Sequence, residues 1–161
     1  MLDKLQGRNG SREFALRSMK NLKFVLAAGQ GDKDVHPVVQ TISALLGIVV
    51  FPWEKCAFKT VKKKRLAAAN AEGWPKWQMS GSRVHSNKVK NVGNLIKLVR
   101  DSVAHGKVTF NSDSKVPSEV TVVFENYPRG SDKWDWRGAI RADELVLFCE
   151  KFSGSVKDNM D

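Results

Sequence analysis

The chain reads as a mainly α protein, an antiparallel helical bundle with a small antiparallel β-sheet inserted before the last helix. Three observations predict this. Apolar residues recur at three- and four-residue steps over residues 11–30, and again from about Gly93 to His105. Residues 107–140 hold three stretches rich in valine, phenylalanine and tryptophan, divided by proline and glycine turns. Helical patterning then returns from Arg141 to about Val156. The 161 residues suit a single domain, residues 1–161, long enough to bury about two-thirds of the unfolded chain's surface.

In the first helix Phe14, Met19, Leu22, Val25 and Leu26 form the apolar stripe, Arg12, Arg17, Lys20 and Lys23 lie between them, and Gly29 and Gly31 supply the stop. The second opens at Asp34-Val35-His36-Pro37, since proline fits a first helical turn, and runs through Val39, Ile42, Leu45, Leu46 and Val49 to an expected break at Pro52. It is apolar on more than one side and is therefore expected to be central. Residues 56–91 show weak periodicity: a basic run, an alanine-rich Leu66–Ala71, then Gly73-Trp74-Pro75-Lys76-Trp77 and Ser80-Gly81-Ser82. They are expected to form a basic, mobile insertion. The third helix carries Leu95, Ile96, Leu98, Val99 and Val103 and stops at His105-Gly106, glycine being the usual residue just past a helix end. Strands are expected at residues 107–111, 119–126 and 134–140. The last helix has its start signal at Asp143-Glu144 and carries Leu145, Val146, Phe148 and Phe152.

Charge is concentrated. The formal net charge is +10, from 27 basic and 17 acidic residues, and between Lys55 and Asn91 ten basic residues face the single acid Glu72, a local net of +9. Such a block is either a solvated face or an electrostatic footprint for a polyanion. Aromatic residues favour RNA, because Phe58 lies beside Lys59 while Trp74 and Trp77 flank Lys76, and bases stack on rings while lysines neutralise phosphates. The two tryptophans fit equally well as a hydrophobic plug over the bundle. Trp134 and Trp136 alternate around Asp135, which favours core packing.

Several function classes lack apparatus. The longest apolar stretch, residues 42–53, is interrupted by Ser43, Gly47 and Pro52 and falls short of the roughly 20 residues of a spanning helix. No leader pattern opens the chain, and Cys56 and Cys149 suggest no disulfide framework, so a cytoplasmic, reducing location is expected. There is no glycine-rich phosphate loop, no C-x-x-C, no H-E-x-x-H and no G-x-S-x-G. His85 reads as an exposed loop residue, His36 as part of a helix start, and the cysteines as buried thiols.

The sequence Arg100-Asp101-Ser102-Val103-Ala104-His105, closed by Gly106, is the strongest chemical signal. Arginine clamps phosphate through a fixed fork of donors, and histidine, with an ordinary pKa of about 6.5, exchanges protons near neutrality. A five-residue step turns side chains roughly 140° apart on an ideal helix, so the pair would not share a face. Either the helix ends between them or a complete site is composed from two subunits. A plainer reading has His105 capping helix carbonyls and Arg100 paired with Asp101.

These residues resemble the HEPN domains, many of which are RNases marked by R-x(4 to 6)-H at the end of a bundle helix; Arg100 to His105 fits the four-residue version. Residues 14–22, the helix 40–52 and a late hairpin followed by a helix also resemble one plasmid- and chromosome-borne bacterial branch, so the likeness covers most of the chain outside 56–91. It implies metal-independent RNA cleavage without a cofactor, in which the substrate's 2′-hydroxyl attacks the adjacent phosphorus to leave a 2′,3′-cyclic phosphate and a 5′-hydroxyl. His105 would move the proton, and Arg100 would offset the charge building on the phosphorane. A helix C-terminus favours imidazolium, which biases His105 toward proton donor. Asp101 and Ser102 are the supporting candidates, and Lys62, Lys63, Lys64 and Arg65 are the RNA-guiding ones. The resemblance further implies a homodimer with a composite site, a toxin or phage-defence role, and a cognate antitoxin or inhibitor. Many members carry asparagine directly after the arginine, where this chain has Asp101, an acid able to weaken Arg100's hold on phosphate. The competing reading is a non-catalytic RNA- or partner-binding module.

Overall fold

Helix α1, Gly7–Ala28, buries Met19 and Leu22 as expected, with Ala15 in place of the expected Phe14, which is exposed, and turns Arg17, Lys20 and Lys23 outward. A computed structural model gives the architecture and describes residues 7–54 and 59–158. His36 is the extended residue before α2, Pro37–Leu45, whose Val38, Thr41 and Leu45 are buried. The helical path does not break at Pro52. A π-turn, Leu46–Val50, leads into α3, Phe51–Glu54, with the Phe51 amide donating to the Leu46 carbonyl five residues back. Proline brings no N–H to the ladder, and the change to five-residue bonding just before it lets the helix pass into a new first turn, where proline is tolerated.

The segment expected to be mobile is folded from Lys59 onward. It forms α4, Lys59–Lys63, α5, Leu66–Ala71, β1, Gln78–Ser80, and α6, Ser82–His85. Its elements are too short for periodicity to show, yet Val61, Ala69 and Trp74 reach the core. Backbone bonds close the segment: the Leu66 amide donates to the Lys90 carbonyl at 3.0 Å, and the Val92 amide to the Lys64 carbonyl at 2.9 Å. Trp74 and Trp77 form the plug, each ring 5.5 Å from Phe148, with Trp77 also 5.5 Å from Phe124.

Helix α7, Val92–Ala104, leads to β2, Val108–Phe110; a 3₁₀ turn, Pro117–Glu119, precedes β3, Thr121–Asn126; β4 is Trp136–Arg141 and α8 is Ala142–Asp158. The sheet is antiparallel in the order β1-β4-β3-β2, so three strands lie before the last helix as expected and the fourth comes from residues 78–80. Alternation puts Trp136 and Ile140 of β4 inward, with Val122 and Phe124 of β3. They join Leu95, Ile96 and Val99 of α7 and Leu145, Phe148 and Phe152 of α8 in one core. Helix α7 packs on β3, and α1 on α8. None of the described helices is long and apolar enough to cross a membrane.

Candidate functional site

Both ends of α7 are built by local sequence. At its start Asn91 and Asn94 form a reciprocal cap, the Asn94 amide donating to Asn91 Oδ1 at 2.8 Å and the Asn91 amide to Asn94 Oδ1 at 3.3 Å. At its end the Lys107 amide donates to the Ser102 carbonyl at 2.8 Å and the Gly106 amide to the Val103 carbonyl at 3.1 Å. This paired closure needs a left-handed residue, which Gly106 supplies at φ +64°. His105 is the C-cap, at φ −99° and ψ 7°, with its own amide bonded to the Asp101 carbonyl at 3.1 Å. Main-chain donors thus satisfy the carbonyls of Asp101, Ser102 and Val103, and the imidazole beyond them is exposed.

Arg100 lies inside the helix, five residues earlier. Its Nε donates to Asp101 Oδ1 at 2.8 Å, and a terminal nitrogen reaches the same oxygen. The two side chains are 29% and 24% exposed, so water screens the pair and a phosphate can compete for the guanidinium. Ser102 faces the interior: its hydroxyl donates to the Leu98 carbonyl at 2.9 Å and accepts from Asn126 Nδ2 at 2.7 Å. Asn126 also donates to the Leu98 carbonyl at 2.6 Å, so a buried amide at the end of β3 fastens the last turns of α7 to the sheet. Support from Ser102 is therefore mechanical.

The structure does not bring the basic run to this end of the helix. Lys64 and Leu66 bond the chain around Lys90 and Val92, at the start of α7, while His105 closes it thirteen residues on, about 20 Å away at 1.5 Å per residue. Lys63 and Arg65 are exposed, and Lys64 is paired with Glu72. The residues gathered around Lys107, two places after His105, are instead Glu125, Tyr127 and Arg137. The Glu125 amide donates to the Lys107 carbonyl at 3.0 Å, and Lys107 Nζ stands 4.9 Å from the centre of the Tyr127 ring. The Tyr127 hydroxyl donates to Glu125 Oε2 at 2.7 Å, a bond that holds its proton above the usual phenol range. Strand register places Arg137 opposite Glu125, with Nε 3.5 Å from Oε1. Sequence reasoning missed this group; the available signals were the chain's single tyrosine and a lysine two places after the histidine.

Other candidates lie apart. His85 is exposed on α6, and His36 Nε2 lies 3.4 Å from the Asp113 carbonyl at the start of α2. Burial pushes the Cys149 thiol up to about 12, which leaves it without thiolate character at neutral pH. Cys56 and Phe58 fall outside the described residues.

Replacing Asp101 by asparagine removes a fixed negative charge beside Arg100. A partly exposed ion pair is worth about 1 kcal/mol, so Asp101→Asn is expected to tighten phosphate binding at Arg100 by up to about fivefold, measured with a short single-stranded RNA. Weaker binding would show that the carboxylate helps to present the guanidinium.

No curated protein and no solved structure matches the chain. One family model does, that of HEPN pEK499 p136, over residues 4–161. With a helical bundle that ends its α7 in Arg100 and His105, and a match across nearly its full length, the chain belongs to the HEPN pEK499 p136 family.

Proposed function

We propose that the protein is a metal-independent endoribonuclease in which His105 and Arg100 act on the phosphodiester. The observation that carries this reading is the exposed imidazole at a helix end closed by main-chain donors, five residues after a partly exposed arginine. HEPN domains are commonly RNases, which makes that pair the natural place for the chemistry. The 2′-hydroxyl loses its proton as its oxygen attacks phosphorus, the P–O5′ bond breaks, and the departing 5′-oxygen takes a proton. His105 serves the proton transfer, biased toward donor by its place at a helix C-terminus. Arg100 offsets charge on the phosphorane. Ser102 and Asn126 hold the turn in place, and Lys62, Lys63, Lys64 and Arg65 extend the RNA path along the far end of α7.

Arg100 lies inside α7 and His105 caps its end; HEPN domains often dimerise, and in this reading the site is composed from two copies with their α7 ends facing. Such an enzyme fits a cytoplasmic toxin or phage-defence RNase held in check by an antitoxin. The test is purified protein with a single-stranded RNA in EDTA. Cleavage to 2′,3′-cyclic phosphate ends is expected, and one 2′-deoxy sugar at the cut position is expected to block it. Cleavage of the blocked substrate, or dependence on added metal, would exclude the mechanism. One observation favours a second reading, a non-catalytic RNA- or partner-binding module: Asp101 engages Arg100. That reading predicts salt-sensitive RNA binding with no cyclic product.

A further inference from the structure

The pairing of Arg100 with Asp101 leaves a gap in the charge available at the turn, and Lys107 is placed to fill it. Its backbone is fixed on both sides, through its amide to Ser102 at 2.8 Å and through its carbonyl to Glu125 at 3.0 Å, so its position relative to His105 is set by the helix stop and by the end of β3. Its ammonium rests 4.9 Å from the Tyr127 ring centre, and among the described residues no carboxylate pairs with it. Glu125, whose amide meets the Lys107 carbonyl, is already engaged, since it accepts the Tyr127 hydroxyl on one oxygen and faces Arg137 with the other. Two cations, Lys107 and Arg137, and one anion, Glu125, leave the cluster with a net charge of +1 at the turn that follows His105. An exposed contact with a ring face orients an ammonium without neutralising it, and a phosphate oxygen can draw it away at little cost.

We propose that Lys107, held over Tyr127, is a phosphate-binding residue of this site and grips the RNA backbone beside His105. Tyr127 and Glu125 are positioning residues: the carboxylate fixes the phenol, and the ring face fixes the lysine stem. This assignment rests on the ribonuclease reading for its consequence but makes a separate claim about binding. It also explains how RNA can be held at the C-terminal end of α7 when the lysine run lies at the other.

The test compares wild type, Lys107→Ala, Lys107→Arg and Tyr127→Leu on one single-stranded RNA across a salt series, with His105→Ala as the inactive reference. Lys107→Ala is expected to raise KM about five- to tenfold with kcat within twofold, and to reduce the slope of log(kcat/KM) against log[salt] by about 0.7, the share of one phosphate contact on a single strand. Lys107→Arg should restore both, and Tyr127→Leu should give a smaller KM rise with the same split. A native KM and native salt slope in Lys107→Ala, with His105→Ala inactive, overturn the Lys107 assignment and leave the ribonuclease intact. If wild type cleaves nothing, the ribonuclease reading fails, and equilibrium binding of the same RNA decides Lys107: a slope lower by about 0.7 in the alanine variant supports it, and a native slope overturns it.

Discussion

His105→Ala is expected to lose about 10²–10⁴-fold in kcat on single-stranded RNA, the usual contribution of a positioned proton-transfer group. The variant should fold normally, because the α7 stop is made by the amides of Gly106 and Lys107 and by the positive φ of Gly106, none of which involves the imidazole. An unchanged thermal melt beside a lost activity therefore separates chemistry from architecture. KM should move little, since a neutral methyl removes proton transfer and leaves the phosphate contacts in place. Arg100→Ala should differ in kind. It removes the cation and strands Asp101, so it should weaken both kcat and KM while costing less than 1 kcal/mol of stability, as befits a pair open to water. A mixture of the two inactive variants gives a further readout: in a composite site, heterodimers carry one wild-type combination and should recover part of the activity. Retention of more than half the wild-type rate by His105→Ala would sink the mechanism.

What the sequence made legible follows from how local the cause is. The stripe of Met19 and Leu22, the stop at Gly106 and the alternation of Trp136 with Ile140 are each written within a few neighbouring residues, and the structure follows them. The Arg100–Asp101 pair was legible for the same reason, being adjacent on one turn. Passage through Pro52 was not, because it depends on a π-turn that begins six residues earlier. Strand β1 was missed because three residues carry no period; it exists because Met79 finds Gly138 of β4 across the sheet. The lysine run was expected to guide RNA to the histidine, but the two are separated by the length of α7. Tyr127 and Lys107 meet only through the β2–β3 register, which pairs Val108 with Phe124 and so brings residues 125–127 to the turn. Asn126 was missed because its partner, Ser102, lies 24 residues away.

Gly138→Ala is expected to be among the most damaging single methyl additions in the chain, costing about 3 kcal/mol, at the upper end of what overpacking usually costs. Trp136 and Gly138 point inward from the same face of β4, and the indole lies flat across the glycine: a Cβ at 138 would sit 2.4 Å from Trp136 Cη2 and 2.5 Å from Cζ2. The ring has little room to yield, being fully buried against the core shared with α7 and α8. Gly138 is also central in the sheet, between Met79 of β1 and Phe124 of β3, so a shift of the strand would strain both ladders. For a chain of this size the loss should lower Tm by about 6–12 °C. Trp136→Phe removes the two clashing atoms along with a buried indole N–H that has no hydrogen-bond partner among the described residues, leaving space that a methyl at 138 can partly fill. The double variant Trp136→Phe/Gly138→Ala should therefore be no less stable than Trp136→Phe alone, with a coupling of about 3 kcal/mol between neighbours in contact. Additive losses in urea titrations of the four proteins would refute this contact as the cause. At 25 °C most molecules of Gly138→Ala should remain folded, so its RNA cleavage per folded molecule should match wild type as long as Asn126, two residues past Phe124 on the same strand, still holds the last turns of α7.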